Sequence, residues 1–244
     1  MRILLVNVNT TASMTDAIAA SARAVAGPDT EIVPLTPTFG ADSVECNFES
    51  YLAAVAVMDA VTRYTGPYDA VIQAGFGEHG REGLQELLDV PVVDITEAAG
   101  HVAGLLGYRY SVVTTLDRAV PLIEDRLKLA GLDARCASVR SSGLSVLQLE
   151  EDPELTLKTI VREAELAVRE DRAEVICLGC GGMAGLDEAV RAMTGVPVVD
   201  GVTAAVKLAE SLVALGLSTS KVRTYAPPRP KHVAGWPLPQ PARI

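Results

Sequence analysis

The residues of this chain best suited to do chemistry stand where an apolar run ends in a thiol. Glu174-Val175-Ile176-Cys177-Leu178-Gly179-Cys180-Gly181-Gly182-Met183 reads as a strand, a cysteine at its end, two glycines and the start of a helical pattern. A cysteine at a helix N-terminus is expected to favour its thiolate, because the dipole and the unpaired backbone N–H groups stabilise negative charge. A free thiol titrates near about 8.5 and needs such help to serve as a base at neutral pH. Gly181 and Gly182 allow the backbone to come close enough to donate hydrogen bonds to a developing oxyanion. The pattern points to acid–base chemistry at Cys180, against the alternative of a buried, inert cysteine.

A second stretch answers the first. Asp69-Ala70-Val71-Ile72-Gln73-Ala74-Gly75-Phe76-Gly77-Glu78, laid over it from the acidic residue, sets Gly75 on Cys180 and Gly77 on Gly182. Val90-Pro91-Val92-Val93-Asp94 also recurs letter for letter as Val196-Pro197-Val198-Val199-Asp200. The elements repeat in the same order. Strands are predicted at 3–8, 31–35, 70–74 and 91–93, with helices at 14–25, 48–64, a short one ending at 88, and 96–106. The second half has strands at 110–113, 134–139, 175–179 and 197–199, with helices at 118–130, 153–169, 186–193 and 203–215. The segments 36–47 and 141–148 are predicted loops.

Strands alternating with helices imply parallel sheets covered on both faces. The fold class is therefore α/β, with two pseudo-symmetric domains, each a Rossmann-like or flavodoxin-like parallel sheet flanked by helices. The expected division is 1–98 plus 206–244 and 99–205. Ligands bind such sheets at the carboxyl ends of the strands, so Gly75 and Cys180 are predicted on opposite walls of one cleft between the domains. Asn9-Thr10 and Thr114-Thr115 follow the first strand of each half, and Ser43 sits in the earlier loop. Each is a candidate cleft residue or a plain cap. His79, beside Glu78, is the nearest titratable base on the Gly75 wall.

The composition narrows the classes. The chain has 244 residues, 49% hydrophobic and 21% charged, with a net charge of −10. Nucleic acid and anionic membranes demand clustered Lys and Arg, so neither is an expected partner. The N-terminus is apolar only from Ile3 to Val6, too short for a signal-peptide core, and no run approaches the roughly 18 apolar residues of a spanning helix. The expected location is cytoplasmic. Four cysteines in a chain this long do not make a disulfide framework. Cys177 is expected in the core, and Cys46 and Cys136 default to structural roles, although the loop of Cys46 could approach the cleft. No metal is expected, since a zinc site at Cys177-x-x-Cys180 would need two further ligands. Gly75-x-Gly77-x-x-Gly80 with Asp94 is formally a dinucleotide fingerprint, but the helix after it is short and Glu78 would set a charge where a pyrophosphate must lie. No cofactor is expected. The tail from Ser218 to Ile244, with six prolines and one Trp, is expected to drape over a domain or a neighbouring subunit.

With these residues together, the chain resembles the hydantoin racemases of the aspartate/glutamate racemase superfamily, with the allantoin racemases close by. The resemblance rests on Ile3-Leu4-Leu5-Val6-Asn7-Val8-Asn9-Thr10, Gly40-x-x-Ser43-Val44-Glu45 and Phe76-Gly77. Ser111-Val112-Val113-Thr114-Thr115, Gly179-Cys180-x-Gly182-Met183 and Thr219-Ser220-Lys221 complete it. It implies a cofactor-independent homo-oligomeric isomerase acting on a small molecule, a 5-monosubstituted hydantoin. It further implies two cysteines facing the substrate's stereocentre, one removing the C5 proton and the other delivering a proton to the opposite face. Cys180 matches one of them. Gly75 stands where the other belongs, and the family's Asp-Pro is here Glu78-His79. A lone thiol facing a glycine is the arrangement of the arylmalonate decarboxylases. Either another group, with His79 the leading candidate, or water serves the second face, or the chain is an inactivated variant. Asn9, Thr10, Ser43, Gly77, Thr114, Thr115, Gly181 and Gly182 are the implied polar contacts; Phe76 and Met183 are implied against the C5 substituent.

Overall fold

The structure, a computed structural model, describes residues 1–231. Two four-stranded parallel sheets carry the fold. The first has the order β2-β1-β3-β4, built from β1 (Arg2–Val6), β2 (Glu31–Leu35), β3 (Ala70–Gln73) and β4 (Val92–Asp94). The second repeats it as β6-β5-β7-β8, from β5 (Tyr110–Thr114), β6 (Cys136–Ser141), β7 (Val175–Leu178) and β8 (Val198–Asp200). The central strands read as unbroken apolar runs because both of their faces are covered. In β1, Ile3 and Leu5 point into a core that spans the two halves, while Leu4 and Val6 join a separate outer core. That is the alternation a strand imposes.

The shared core is closed by helices that change sides. Helix α4 (Ile95–Leu106) packs on β7 and β8 of the second sheet, and α9 (Gly201–Ala214) packs on β3 and β4 of the first. The repeated aspartate at the end of the last strand starts each of them. Asp94 Oδ1 accepts the Thr96 and Glu97 N–H groups at 2.8 Å, and Asp200 Oδ1 accepts that of Val202 at 2.7 Å. Such caps satisfy N–H groups that a helix leaves open. The two helix starts meet closely: a β-carbon on Gly201 would fall 2.5 Å from the Ile95 carbonyl oxygen. Only glycine fits there.

The outer face of each sheet is covered by its own helices. Helix α2 (Asn47–Arg63) lays Val57 and Val61 on the first sheet, and α7 (Pro153–Glu170) lays Ile160 and Ala164 on the second. Two further helices, α1 (Ala12–Val25) and α5 (Val120–Leu129), come after the first strand of each half. Short helices α3 (Arg81–Leu87) and α8 (Asp187–Thr194) come after the chemically interesting turns, and α6 (Gln148–Glu151) is a single turn that starts at the last residue of the loop predicted over 141–148. Residues 133–135 form a 3₁₀ turn, so β6 begins later than the expected 134. Of the tail, Thr219 Oγ1 donates to the Val90 carbonyl at 3.0 Å and Lys221 Nζ to that of Gln85 at 2.6 Å. The described part of the tail therefore rests on the first half. The remainder of the expected drape, residues 232–244 with Trp236, lies outside the described residues.

Candidate active site

A cavity of about 50 Å³ opens where the carboxyl ends of β1, β3, β5 and β7 converge. Both halves line it. The first contributes Asn7, Asn9, Glu45, Cys46, Gly75, Phe76, Gly77 and His79; the second contributes Thr114, Thr115, Val146, Cys180, Gly181 and Gly182. The walls touch at the floor, since a β-carbon on Gly181 would fall 2.8 Å from the Ala74 carbonyl oxygen. By the same measure a water needs about 10–15 Å³, so the space suits a small ring rather than an extended ligand.

Cys180 is the second residue past β7, partly buried, with Sγ 3.4 Å from the Gly182 nitrogen that donates to it. Its backbone setting differs from the expected helix start. Gly181–Met183 make one 3₁₀ turn directly after Cys180, and the next α-helix starts only at Asp187. A three-residue turn sums few peptide dipoles. Burial therefore prevails: it pushes the thiol up to about 11, with the Gly182 N–H pulling down and the Glu45 carboxylate pushing further up. In the empty site, burial thus favours the neutral thiol over the thiolate.

Gly75 is the second residue past β3, in the matching place. The volume a side chain would use there is already filled. A β-carbon at Gly75 would fall 2.5 Å from both His79 Cδ2 and Val8 Cγ1, and 2.8 Å from Gln73 Nε2. His79 is buried at 5% exposure. The Ser50 hydroxyl donates to the Glu78 carbonyl at 2.5 Å, so its oxygen receives the His79 Nδ1–H at 2.9 Å. Burial lowers the imidazole to about 4; Asp94 and the Phe76 carbonyl raise it, and Arg126 lowers it further. His79 is thus neutral across the physiological range.

Among the other expected residues, Asn9 is buried in the cavity wall with its Oδ1 accepting from Asn7 Nδ2 at 2.8 Å and from the Thr11 N–H at 3.0 Å. Thr114 Oγ1 donates to the Gly179 carbonyl at 2.9 Å, which ties β5 to the Cys180 strand, and Thr115 lines the space beside it. Three residues lie elsewhere. Thr10 is bound to the Ala41 carbonyl through its N–H at 3.0 Å and its hydroxyl at 3.2 Å, and Ser43 sits in the same loop off the cavity lining. Met183 points away, wholly buried in the outer core of the second sheet. Phe76 lines the cavity while packing on the shared core. Cys177 is buried in β7 as expected.

Several lining residues are not evident from the sequence. Strand pairing supplies the signal for one of them: Ile3 pairs with Ala70, and Tyr110 with Val175. That register makes Asn7, not Asn9, the counterpart of Thr114. Cys46, whose loop the sequence already allowed to approach the cleft, does line the cavity and closes it together with Glu45 from the loop before α2. Glu45 Oε1 accepts the Val146 N–H at 2.8 Å, bridging the halves.

Comparisons with known proteins give the family. The sequence profile of the Asp/Glu/Hydantoin racemase family matches residues 3–209. The chain belongs to that family. It is 42% identical over 236 residues to a hydantoin racemase of Rhizobium meliloti, covering 96% of this chain and 98% of the relative. Among solved structures, an allantoin racemase from Pseudomonas fluorescens superimposes with a TM-score of 0.95 at 76% identity, covering 96% of this chain and all of that one. An allantoin racemase from Klebsiella pneumoniae gives 0.93 at 41%, covering 96% of each. This racemase is accordingly an isomerase acting on a small-molecule substrate. No helix among its described residues is long and apolar enough to cross a membrane.

Proposed function

We infer that this racemase inverts C5 of 5-monosubstituted hydantoins, and that allantoin, whose C5 carries a ureido group, is the first substrate to try. The observation that carries the reading is Cys180, a thiol at a strand end facing a small cavity built by both halves. Removing the C5 proton leaves a carbanion that delocalises into the adjacent ring carbonyl, and donors held against that oxygen stabilise the enolate. Cys180 is the acid/base for one face. Thr115, Asn9 and the Gly181 N–H are assigned to the ring, while the Gly182 N–H serves the Cys180 sulfur. The small cavity and its Glu45 carboxylate favour a compact C5 substituent that carries N–H donors over a bulky apolar one.

Each enantiomer of allantoin, and separately of a 5-alkyl hydantoin, is incubated in deuterated water while optical rotation and the C5 proton signal are monitored. Inversion accompanied by deuterium uptake is expected, faster for allantoin. Cys180→Ala is expected to lose on the order of 10² to 10⁴ in rate, about what a positioned proton-transfer group supplies, with an unchanged melting temperature. Absence of exchange above the spontaneous rate with every hydantoin would sink the reading.

A further inference from the structure

Leu122 and Ile123 of α5 line the cavity from the second half. Arg126 lies one turn further along the same helix face, behind the lining and almost wholly buried. Its guanidinium ties α5 to the turn after β3, to α3, to the end of β4 and to the start of α4. Nη1 donates to Glu78 at 3.0 Å and to Glu82 at 2.7 Å, and Nη2 donates to Asp94 and to Glu97, each at 2.7 Å. Arg81 of α3 adds a second guanidinium, 3.2 Å from Glu82, 3.5 Å from Asp94 and 2.9 Å from Glu97. Four carboxylates therefore share two guanidiniums, and burial makes the surplus of negative charge costly. His79, in the same turn as Glu78, stays neutral and adds no charge. In the other half, the matching helix α1, whose Met14 and Ile18 line the cavity, meets Asp200 with the neutral hydroxyl of Ser21.

We propose that Arg126 is a positioning residue of the racemase reaction, a clasp that sets the cavity face of α5 against the turn after β3. The inference rests on the hydantoin reading above. Arg126 acts through Leu122 and Ile123 on one side and through the Glu78-His79 turn on the other, and so fixes how closely the two walls grip the ring. A planar fork holds a pair of carboxylates on each terminal nitrogen, which a single ammonium cannot do. The clasp also retains a proton. Burial first, and then the hydrogen bond and charge of Glu82, push Glu78 up to about 7 against the pull of Arg126. Burial and the Asp94 charge raise Glu97 as well. As pH rises through about 7, Glu78 ionises, and as the most exposed of the four carboxylates it relieves the surplus by turning to solvent. Arg126 then keeps Asp94 and Glu97 but loses its hold on the turn that carries His79.

The test measures kcat and KM for allantoin, by C5 deuterium exchange and optical rotation, over about 1.5 pH units on either side of 7. The proteins are the parent, Arg126→Lys, Glu78→Gln, Glu82→Gln and Ser21→Ala, each assayed well below its melting temperature. Arg126→Lys is expected to lose on the order of 10 to 10² in kcat, the effect of a wall displaced from the reacting geometry, with a smaller change in KM. Ser21→Ala is expected to melt earlier yet keep the parental kcat. The ratio of parental to Glu78→Gln rates cancels the titration of Cys180, and it is expected to fall as pH rises through about 7. Glu82→Gln, which removes a group that pushes Glu78 up, is expected to move the inflection of its own pH profile to lower pH. A folded Arg126→Lys protein with the parental kcat overturns the proposal. So does a parent-to-Glu78→Gln ratio that stays flat with pH, and this readout decides alone if Arg126→Lys does not fold. A parent that exchanges neither allantoin nor a 5-alkyl hydantoin overturns the hydantoin reading itself, a result distinct from both.

Discussion

The ends of β3 and β7 are the same piece of backbone put to different uses. Gly75 and Cys180 both lie two residues past their strand, and five residues later Gly80 and Gly185 turn the chain with φ of 91° and 84°. Between them the sequences part. Phe76-Gly77-Glu78-His79 answers Gly181-Gly182-Met183-Ala184. In the second half the small residues leave room for a thiol on the wall, and Met183 turns outward into the core. In the first half His79 folds back over the glycine. A wall can keep its fold while the position of its reactive group is filled by a neighbour.

A second contrast lies one strand further on. Asp94 and Asp200 are matching buried carboxylates, and each is held by the helix that comes after the first strand of the opposite half. Ser21 of α1 donates to Asp200 at 3.0 Å, and Arg126 of α5 reaches Asp94 at 2.7 Å. The partners differ greatly in charge. The Arg126 side chain is 1% exposed and also meets Glu78, Glu82 and Glu97 at 2.7 to 3.0 Å. Removing one partner of a buried ion pair costs about 3–5 kcal/mol because the others stay buried and uncompensated. Arg126→Met is therefore expected to lower stability by that amount in chemical unfolding. Ser21→Ala, which removes one neutral hydrogen bond to a carboxylate, is expected to cost about 1.5–3 kcal/mol. Equal losses would show that the two junctions are held alike and that the charge cluster is incidental.

Replacing Gly75 by cysteine sharpens the first contrast. By symmetry alone, a thiol there would simply face Cys180. The 2.5 Å approaches to His79 and Val8 mean that it would first have to displace them. Gly75→Cys is expected to cost about 1–3 kcal/mol, the usual range for overpacking. Adding His79→Ala should recover part of that loss by emptying the ring's place. If the single variant is as stable as the parent, the plug is looser than the distances imply.

Most of the architecture was legible because central parallel strands, covered on both faces, must be apolar throughout, and because the Val-Pro-Val-Val-Asp repeat marks both β4 and β8 together with the cap at their ends. The site was legible along each strand but not across strands. Cys180 and Gly75 announce themselves as strand ends. Asn7 becomes the partner of Thr114 only through the pairing register, and Cys46 enters the cavity only because the loop before α2 folds over it. Nothing local separates the 3₁₀ turn after Cys180 from a helix start. Arg126 was equally hidden, since its carboxylates come from separate elements that meet only in the folded chain.

The smallest effect expected is a pH dependence confined to the β3 wall. Burial lowers His79 to about 4 from an ordinary 6.5, so the unfolded chain takes up this proton more readily. Its contribution to stability is present above 6.5 and is lost as pH falls through 4. Glu78, next to it, is raised to about 7 from 4.5 by burial and then by the neighbouring Glu82, against the pull of Arg126. Its contribution is fully present below 4.5 and is lost as pH rises through 7. The Glu78 side chain is 42% exposed, so solvent screens this second slope and makes it the weaker one. Between about pH 4.5 and 6.5 the two contributions oppose each other, so melting temperatures are expected to rise with pH more steeply in Glu78→Gln than in the parent, and less steeply in His79→Gln. The matching residues of the other wall, Met183 and Ala184, do not titrate. Slopes unchanged in both variants would place the pH sensitivity outside this wall, and the two strand ends would then differ in packing alone.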